Sequence, residues 1–324
     1  MRSRLLTLTA ILVFTTLTAT LAGMWFRPSL SDAAFVPTKA PPEFRPGDLR
    51  ARFFGTSTIL IGDGRTALLI DGFFSRPSWW RLAARPIAPD DSRISDALSR
   101  GQVATVDALF VAHSHHDHAL DSARIAGITK ALLYGSDSTL NIARGGRLPP
   151  EQMRRMQPGN PIQIGDFTVT AIEARHSPDA VFPGTISEPL VLPARLAAFK
   201  EAQNYVFHFR HLRGNVLVIP SANFIPGSLA GVRADVVFLG IGGLGRQSES
   251  FTRSYWEETV IRTGAKRVIP VHWDDFGLPL DQPLVAMPFL LDRVDTSLDR
   301  LQALANASQV DVMMPRSFDP IHLP

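Results

Sequence analysis

Apolar residues recur along the chain in short runs that have the length and spacing of β-strands. Three such runs come first, and the last two are separated by Gly62, Asp63 and Gly64, a strong turn signal for a β-hairpin. A fourth run, at residues 106–112, is apolar throughout, as expected for a strand buried on both faces. We therefore predict an antiparallel beginning of a sheet and then a buried strand: residues 50–54, 57–61, 66–70 and 106–112.

The second half of the chain combines further strands with helices. Leu291, Val294, Leu298 and Leu301 recur at helical spacing, and we place Asp292, Arg293, Asp299 and Arg300 on the opposite, polar face. Strands followed by helices, twice over, predict an α/β protein, a four-layer αββα sandwich. The predicted strands are two across residues 162–174 and one each at 204–209, 215–220, 234–240, 267–271 and 310–313, with helices at 138–144 and 250–262.

The N-terminus has the pattern of a targeting segment. Arg2 and Arg4 precede an uncharged run at residues 5–22, and Trp25 and Phe26 follow it. Cleavage near Ala22 and retention as a membrane anchor both fit this pattern. We predict a signal peptide or N-terminal anchor at residues 1–26, a proline-rich linker at 27–48 and one domain at 49–324. The body would then lie on the periplasmic side of the inner membrane, or free in the periplasm after cleavage.

Composition excludes several classes of function. The 324 residues are 45% hydrophobic and 19% charged, which is the balance of a globular protein. The net charge is only +3, and the basic residues are scattered singly along the chain. We therefore expect no nucleic-acid partner. The absence of cysteine excludes thiol catalysis and thiolate metal ligands.

Histidines cluster directly after the buried strand. His113, His115, His116 and His118 occur with Asp117 in one short segment. Imidazole and carboxylate ligands suit zinc, with iron or manganese as alternatives. In an extended or tightly turning segment His113 and His115 point the same way and can share an ion, while Asp117 and His118 turn the chain toward a second position. Distant histidines must complete each shell, and the candidates follow other strands: His176 and His272.

The segment from His113 to His118 resembles the H-x-H-x-D-H signature of the metallo-β-lactamase-fold hydrolases. The similarity extends in order through residues 49–320. It implies that a first metal is held by His113, His115 and His176, and a second by Asp117, His118 and His272. Asp71 matches an early acidic residue of the family, which implies that it orients a ligand histidine. Residues 268–273 are similar to the branch that contains ascorbate-phosphate lactonases and the phospholipase D acting on N-acyl-phosphatidylethanolamines.

One family position differs. Family members place a bridging Asp in a turn that here reads Pro220, Ser221, Ala222 and Asn223, without a carboxylate. Two zinc ions, a single ion and a site without metal therefore remain open. With a single ion, Asp117 is free to act as the catalytic general base.

The expected function is that of an exported zinc-dependent hydrolase. A metal-bound hydroxide would attack a phosphodiester, lactone, ester or amide in a small-molecule or lipid-derived substrate. The alternative is a non-catalytic, membrane-tethered binding protein with a degraded second metal site. Two neighbouring features receive structural interpretations: His116 points away from the ligands, and the glycines from Gly240 to Gly245 permit a close backbone approach rather than nucleotide binding.

Overall fold

The computed structural model describes residues 22–30, 45, 47–178 and 181–323. Two seven-stranded sheets lie face to face in it, and phenylalanine side chains fill the space between them. The ring of Phe110 in the first sheet lies 5.6 Å from that of Phe207 and 5.9 Å from that of Phe209 in the second. All three side chains are fully buried, so the interface between the sheets forms the main apolar core.

The first sheet has the strand order β14-β1-β2-β3-β4-β5-β6. It begins as the predicted antiparallel arrangement of β1, β2 and β3, and then continues through parallel pairs. The Gly62-Asp63-Gly64 turn joins β2 to β3 as predicted. The strands are β1 Arg50–Gly55, β2 Thr58–Gly62, β3 Ala67–Ile70, β4 Ala108–Phe110, β5 Leu132–Gly135, β6 Met153–Arg155 and β14 Pro320–His322.

The second sheet has the strand order β13-β12-β11-β10-β9-β8-β7. Strands β7 to β10 are antiparallel, and β10 to β13 are parallel. Each predicted strand of the second half is present here. The strands are β7 Pro161–Ile164, β8 Phe167–Ala174, β9 Asn204–His211, β10 Gly214–Ile219, β11 Val236–Gly240, β12 Arg267–Val271 and β13 Asp311–Val312.

Helices cover the outer face of each sheet and complete the four layers. Apolar residues of α2, α4 and α5 form a second core against the first sheet, and α6 and α7 pack on the other side. On the first sheet lie α1 Trp79–Ala84, α2 Asp91–Arg100, α3 His116–Ala119, α4 Ser122–Thr129 and α5 Asp137–Gly145. On the second lie α6 Glu249–Trp256, extended by a π-helical turn at Glu257–Ile261, and α7 Val294–Ser308.

The placement of Asp292 on the polar face of the last helix is wrong. Helix α7 begins only at Val294, and Asp292 precedes it with a side chain that is 4% exposed. Its carboxylate accepts hydrogen bonds from the amides of Gly243 at 2.9 Å and Arg293 at 2.6 Å. The apolar spacing that includes Leu291 continues from the helix into the preceding turn, where helical spacing no longer decides exposure.

The predicted targeting segment falls almost entirely outside the described residues, as does most of the predicted linker. Among the residues that the structure describes, no helix combines the length and apolar character needed to cross a membrane. The described part of the N-terminus, residues 22–30, lies against the body of the protein, where Arg27 donates a hydrogen bond to Asp275 at 3.1 Å.

Candidate metal centre

Three histidine nitrogens converge at one edge of the two sheets. His113 and His115 follow β4 of the first sheet, whereas His176 follows β8 of the second. Nδ1 of His115 lies 3.1 Å from Nε2 of His113 and 3.2 Å from Nε2 of His176. We call these residues the first triad.

The ring environments favour the neutral imidazoles that a metal needs. Burial lowers the pKa of His113 well below its usual range, and neighbouring His118 adds to the effect. Burial and the adjacent His115 lower the pKa of His176 to about 4. Nδ1 of His176 can donate to the carbonyl of Ser177 at 3.0 Å, which leaves the lone pair of Nε2 directed at the triad.

A second triad lies next to the first and contains the carboxylate. Oδ2 of Asp117 lies 3.2 Å from Nε2 of His272 and 3.6 Å from Nε2 of His118. Burial opposes the charge of Asp117, but His118 and His272 hold the pKa of its carboxyl well below its usual range. His272 follows β12 of the second sheet, so this triad also joins the two sheets.

Asp71 fixes the orientation of the His118 ring. It follows β3, and its Oδ2 lies 2.7 Å from Nδ1 of His118. The same oxygen accepts a hydrogen bond from the buried hydroxyl of Ser57, and Oδ1 accepts one from the amide of Ala112 at 2.8 Å. With Nδ1 of His118 donating to Asp71, Nε2 keeps its lone pair toward Asp117, an arrangement common around protein-bound metals.

The donor set fits a divalent metal. Ligand nitrogens about 2.0 Å from a tetrahedral zinc ion lie roughly 3.3 Å from one another. The separations of 3.1 and 3.2 Å in the first triad are close to this value. Nε2 of His118 is buried and has no hydrogen-bond partner among the described residues, which is costly unless a ligand occupies it. In each triad all ligand atoms lie within 4.8 Å of one another.

The remaining histidine of the segment takes no part in either triad. The His116 ring packs edge-on against Phe73 at 5.6 Å and against Phe276 at 6.1 Å. Burial lowers the pKa of His116 to about 4, so the ring is neutral at physiological pH. His116 also lines the pocket, and its Nδ1 lies 3.5 Å from Oδ1 of Asp117, so the structural interpretation of this residue stays a prediction.

The turn after β10 presents a serine, and not the asparagine, to the site. Ser221 lines the pocket together with His115, His176 and His272. Asn223 instead donates from its amide to the carbonyl of His176 at 2.6 Å, and its side-chain oxygen accepts from the amide of Phe224 at 2.8 Å. Asn223 therefore positions His176, whereas Ser221 is the residue of this turn that lines the pocket.

A buried ion pair supports the loop that carries His272. Arg76 and Asp274, 1% and 0% exposed in their side chains, form an ion pair. Oδ1 of Asp274 accepts from the amide of Thr56 at 2.7 Å, and the carbonyl of Thr56 accepts from the amide of His272 at 2.6 Å. No sequence pattern indicated this role for Arg76, because an arginine in a loop is normally exposed.

Both triads open into one cavity of about 270 Å³. Gly242 and Gly243 form part of its wall, and a Cβ at Gly242 would lie 2.8 Å from Nδ1 of His272. This close approach is the role predicted for the glycines of this turn, and among Gly242 and Gly243 it is observed at Gly242. Asp292 also lies in the wall, and burial raises the pKa of its carboxyl. The rest of the lining is mostly apolar: Trp79, Val181, Phe182, Leu196, Phe276, Met287 and Leu291.

A third group of metal-binding residue types lies at the opposite end of the sandwich, where Asp63, Asp166 and His211 occupy three hairpin turns. Nδ1 of His211 accepts from the amide of Arg213 at 3.2 Å, so Nε2 is the ring nitrogen that carries a proton. That nitrogen faces Asp63 at 3.6 Å and offers no lone pair. We interpret this group as an Asp–His contact between the sheets.

The chain belongs to the β-lactamase superfamily, because residues 66–273 match the model of the beta-lactamase superfamily domain. The match contains both triads and Asp71. A metal-dependent hydrolase of Pyrobaculum aerophilum is 25% identical over 239 residues, 72% of this chain and 88% of the relative. One from Myxococcus xanthus is 28% identical over 141 residues, 43% of either chain. The protein thus falls among the metal-dependent hydrolases of the superfamily, as predicted.

Solved structures share the fold at low sequence identity. An isothiocyanate hydrolase from Delia radicum gut bacteria has a TM-score of 0.54 at 13% identity, with 85% of this chain and 98% of that chain covered. A metallo-hydrolase of Ignicoccus hospitalis has a TM-score of 0.53 at 14% identity, with 85% and 98% covered. A diiron β-hydroxylase of Streptomyces venezuelae has a TM-score of 0.51 at 13% identity, with 86% and 55% covered. The predicted αββα fold is confirmed, whereas the lactonase and phospholipase branch stays a prediction.

Proposed function

We propose that this protein is a zinc-dependent hydrolase whose reaction centre lies between the two triads. The observation that carries the proposal is the convergence of five histidines and Asp117 into two adjacent triads, with separations that suit metal ligands. Four of these residues, His115, Asp117, His176 and His272, line one pocket. His113, His115 and His176 would hold one ion, and Asp117, His118 and His272 a second. Bound zinc supplies a Lewis acid and lowers the pKa of water toward neutrality.

The residues of the chain supply position and proton transfer. Asp71 holds the His118 ring, Asn223 holds the backbone of His176, and the Arg76–Asp274 pair supports His272. Where only the first ion is bound, Asp117 is free to accept a proton from the attacking water at its Oδ2. The absence of a carboxylate at Ser221 favours weaker binding at the second triad, because two cations then share less negative charge.

The pocket lining favours a substrate with an apolar part beside the scissile bond. Phe182, Phe276 and Leu291 surround the triads, and water-excluding walls of this kind recognise acyl or alkyl groups through burial of apolar surface. A lipid-derived ester, lactone, amide or phosphodiester satisfies this requirement. The uncharged run at residues 5–22 supports action on the periplasmic side of the inner membrane.

Metal content per chain is the decisive measurement. The purified full chain, loaded with zinc and dialysed, is analysed by elemental mass spectrometry beside the variants His113→Ala and Asp117→Ala. His208→Gln is the matched control, because His208 bonds to the carbonyl of Arg233 and lies in neither triad. Two ions in the native chain and the control, with His113→Ala losing the first, support the proposal. One ion in the native chain that Asp117→Ala retains would exclude Asp117 as its ligand, and loss of hydrolysis in the same variant would then support Asp117 as the base.

Hydrolysis is tested on the same samples with fluorogenic acyl esters, lactones and phosphodiesters of increasing chain length. We expect kcat/KM to rise with the length of the apolar group and activity to vanish in His113→Ala. Metal binding without turnover of any substrate class would favour the non-catalytic binding protein. A chain that binds no metal after reconstitution would overturn the proposal.

A further inference from the structure

The described part of the N-terminus packs beside the segment that closes one side of the pocket. The amide of Phe289 donates to the carbonyl of Phe26 at 2.9 Å, and Gly23 lies against the side chain of Leu290. Arg27 donates to the buried carboxylate of Asp275, which also accepts from the indole of Trp79 at 2.7 Å. Trp79 itself lines the pocket. The N-terminal residues are therefore anchored to the wall of the reaction site.

The segment that closes one side of the pocket, residues 287–291, has one face toward the pocket and another toward solvent. Met287 and Leu291 point into the cavity, whereas Phe289 and Leu290 are 38% and 44% exposed. Phe26, whose carbonyl accepts from the amide of Phe289, is 68% exposed, and the preceding residue Trp25 is 83% exposed. We call Trp25, Phe26, Phe289 and Leu290 the rim patch. Large apolar side chains that adjoin one another on a surface indicate an interaction site.

Arginines border the rim patch. Arg246 donates to the carbonyl of Leu290 at 2.6 Å, and the Arg293 guanidinium lies 5.6 Å from the ring of Phe289. Arg293 is also paired with Asp295, so part of this charge is balanced. Tryptophan and phenylalanine bordered by arginine form the side-chain combination that favours a lipid–water interface, where rings enter the headgroup region and guanidinium groups meet phosphates.

The sequence before the rim patch supplies the second argument. The uncharged run at residues 5–22 ends immediately before Gly23, and its length is close to that of a membrane-crossing segment. A membrane that receives this run must lie next to Trp25 and Phe26. We propose that the rim patch lies on the lipid bilayer, so that the pocket opens beside the membrane surface.

This orientation would let a substrate pass directly from the bilayer into the pocket, and that part of the inference rests on the proposed function. An acyl chain leaving the bilayer beside Phe289 and Leu290 would meet the apolar wall formed by Met287 and Leu291 without crossing bulk water. The docking itself does not depend on hydrolysis, so the two proposals can fail separately.

The absence of cysteine allows a direct test in the full chain. Leu290→Cys and Trp25→Cys, each carrying an environment-sensitive fluorophore, are reconstituted with vesicles of phosphatidylcholine containing a minor share of phosphatidylglycerol. Leu212→Cys is the matched control, because Leu212 is 93% exposed and lies in the turn between β9 and β10, at the end of the sandwich away from the triads. We expect a blue shift at positions 25 and 290, and loss of most of their fluorescence to a quencher attached to lipid chains.

Two outcomes would overturn the proposal. One is quenching at position 290 no greater than at position 212 while the chain stays on the vesicles. The other is a blue shift at position 290 without vesicles, together with a doubled mass in light scattering, which would assign the patch to a second copy of the chain. Adding His113→Ala to the labelled Leu290→Cys chain should leave quenching unchanged, which separates membrane docking from the metal chemistry.

Discussion

Oδ2 of Asp71 lies 2.7 Å from Nδ1 of His118, and Oδ1 of the same carboxylate accepts the amide of Ala112 at 2.8 Å. A single side chain therefore fixes both a histidine ring and the end of the backbone run that leads to His113. Asp71 itself has a positive φ of 59°. An L residue adopts this conformation at an energetic cost, which the carboxylate contacts offset.

Replacement of Asp71 by Asn should weaken metal binding at the second triad selectively. The amide has one acceptor oxygen and no charge, so it cannot bind both the His118 ring and the Ala112 amide as the carboxylate does. We expect the second zinc affinity to fall about 10- to 100-fold, measured by competition with a chelating dye. Asp107→Asn is the control, since Asp107 accepts a hydrogen bond from the amide of Ala67 at the other end of β3. An equal loss at both triads would contradict this role.

A carboxylate restored at Ser221 should strengthen the second triad. Ser221 lies in the pocket wall with His176 and His272, whereas Asn223 is engaged with the His176 carbonyl. We expect Ser221→Asp to raise the zinc content toward two ions, measured by elemental mass spectrometry after dialysis. Asn223→Asp should instead lower it, because a carboxylate cannot donate to that carbonyl. A higher zinc content with Asn223→Asp and no change with Ser221→Asp would show that position 223, and not position 221, faces the second triad.

A methyl group at Gly242 should displace His272. The added Cβ would lie 2.8 Å from Nδ1 of the ring and 3.1 Å from the His272 carbonyl oxygen, which is too close for either to remain in place. We expect Gly242→Ala to lose the second ion and keep the first. Gly127→Ala is the control, since no atom of the part of the chain that the structure describes lies within 4 Å of a Cβ there. Two ions retained in Gly242→Ala would contradict this prediction, because the loop would then accommodate the methyl group without loss of metal binding.

Asp121 should make the stability of the protein depend on pH. Burial raises the pKa of its carboxyl from 3.8 to about 6, although Ser75 and the amide of Phe74 donate hydrogen bonds to it. The folded state therefore binds the proton more tightly. The stabilising contribution is complete below the unfolded pKa of 3.8 and is lost as the pH rises through about 6.

The variant Asp121→Asn separates this effect from other titrations. We expect it to gain stability relative to the native chain between about pH 4 and about pH 7, by at most about 3 kcal/mol. Urea unfolding at several pH values measures the difference. The asparagine oxygen can accept the same hydrogen bonds from the buried amides. A difference in the free energy of unfolding that does not vary with pH would therefore contradict the raised pKa.

Most strands and the histidine cluster after β4 were predictable because each depends on local sequence, whereas β5, β6 and β14 were not predicted. The apolar run before His113 can be recognised as a buried strand without knowledge of its neighbours, and the close histidine spacing predicts a metal site. The helix Asp91–Arg100 was not predicted, since its buried stripe is short: Ile94, Ala97 and Leu98. Its N-cap Asp90, which accepts the amides of Ser92 and Arg93, was the available signal.

The supporting residues were less predictable because their roles depend on distant partners. Arg76 and Asp274 are 198 positions apart in the sequence, and neither position alone indicates a buried ion pair. Ser221 and Asn223 lie in one turn, and only the backbone geometry decides which side chain enters the pocket. Such choices follow from tertiary packing, which single-sequence patterns do not contain.

Each triad takes its side chains from both sheets, and this has a consequence for a chain without cysteine. His115 and His176 are 61 positions apart, so an ion shared by them closes a loop as a disulfide would. Closing a loop of this length lowers the conformational entropy of the unfolded chain, which destabilises the unfolded state by roughly 4 kcal/mol in the chain-entropy model. Coordination bonds would thus be the removable cross-links of this protein, and a chelator would act on it as a reducing agent acts on a disulfide-bonded protein.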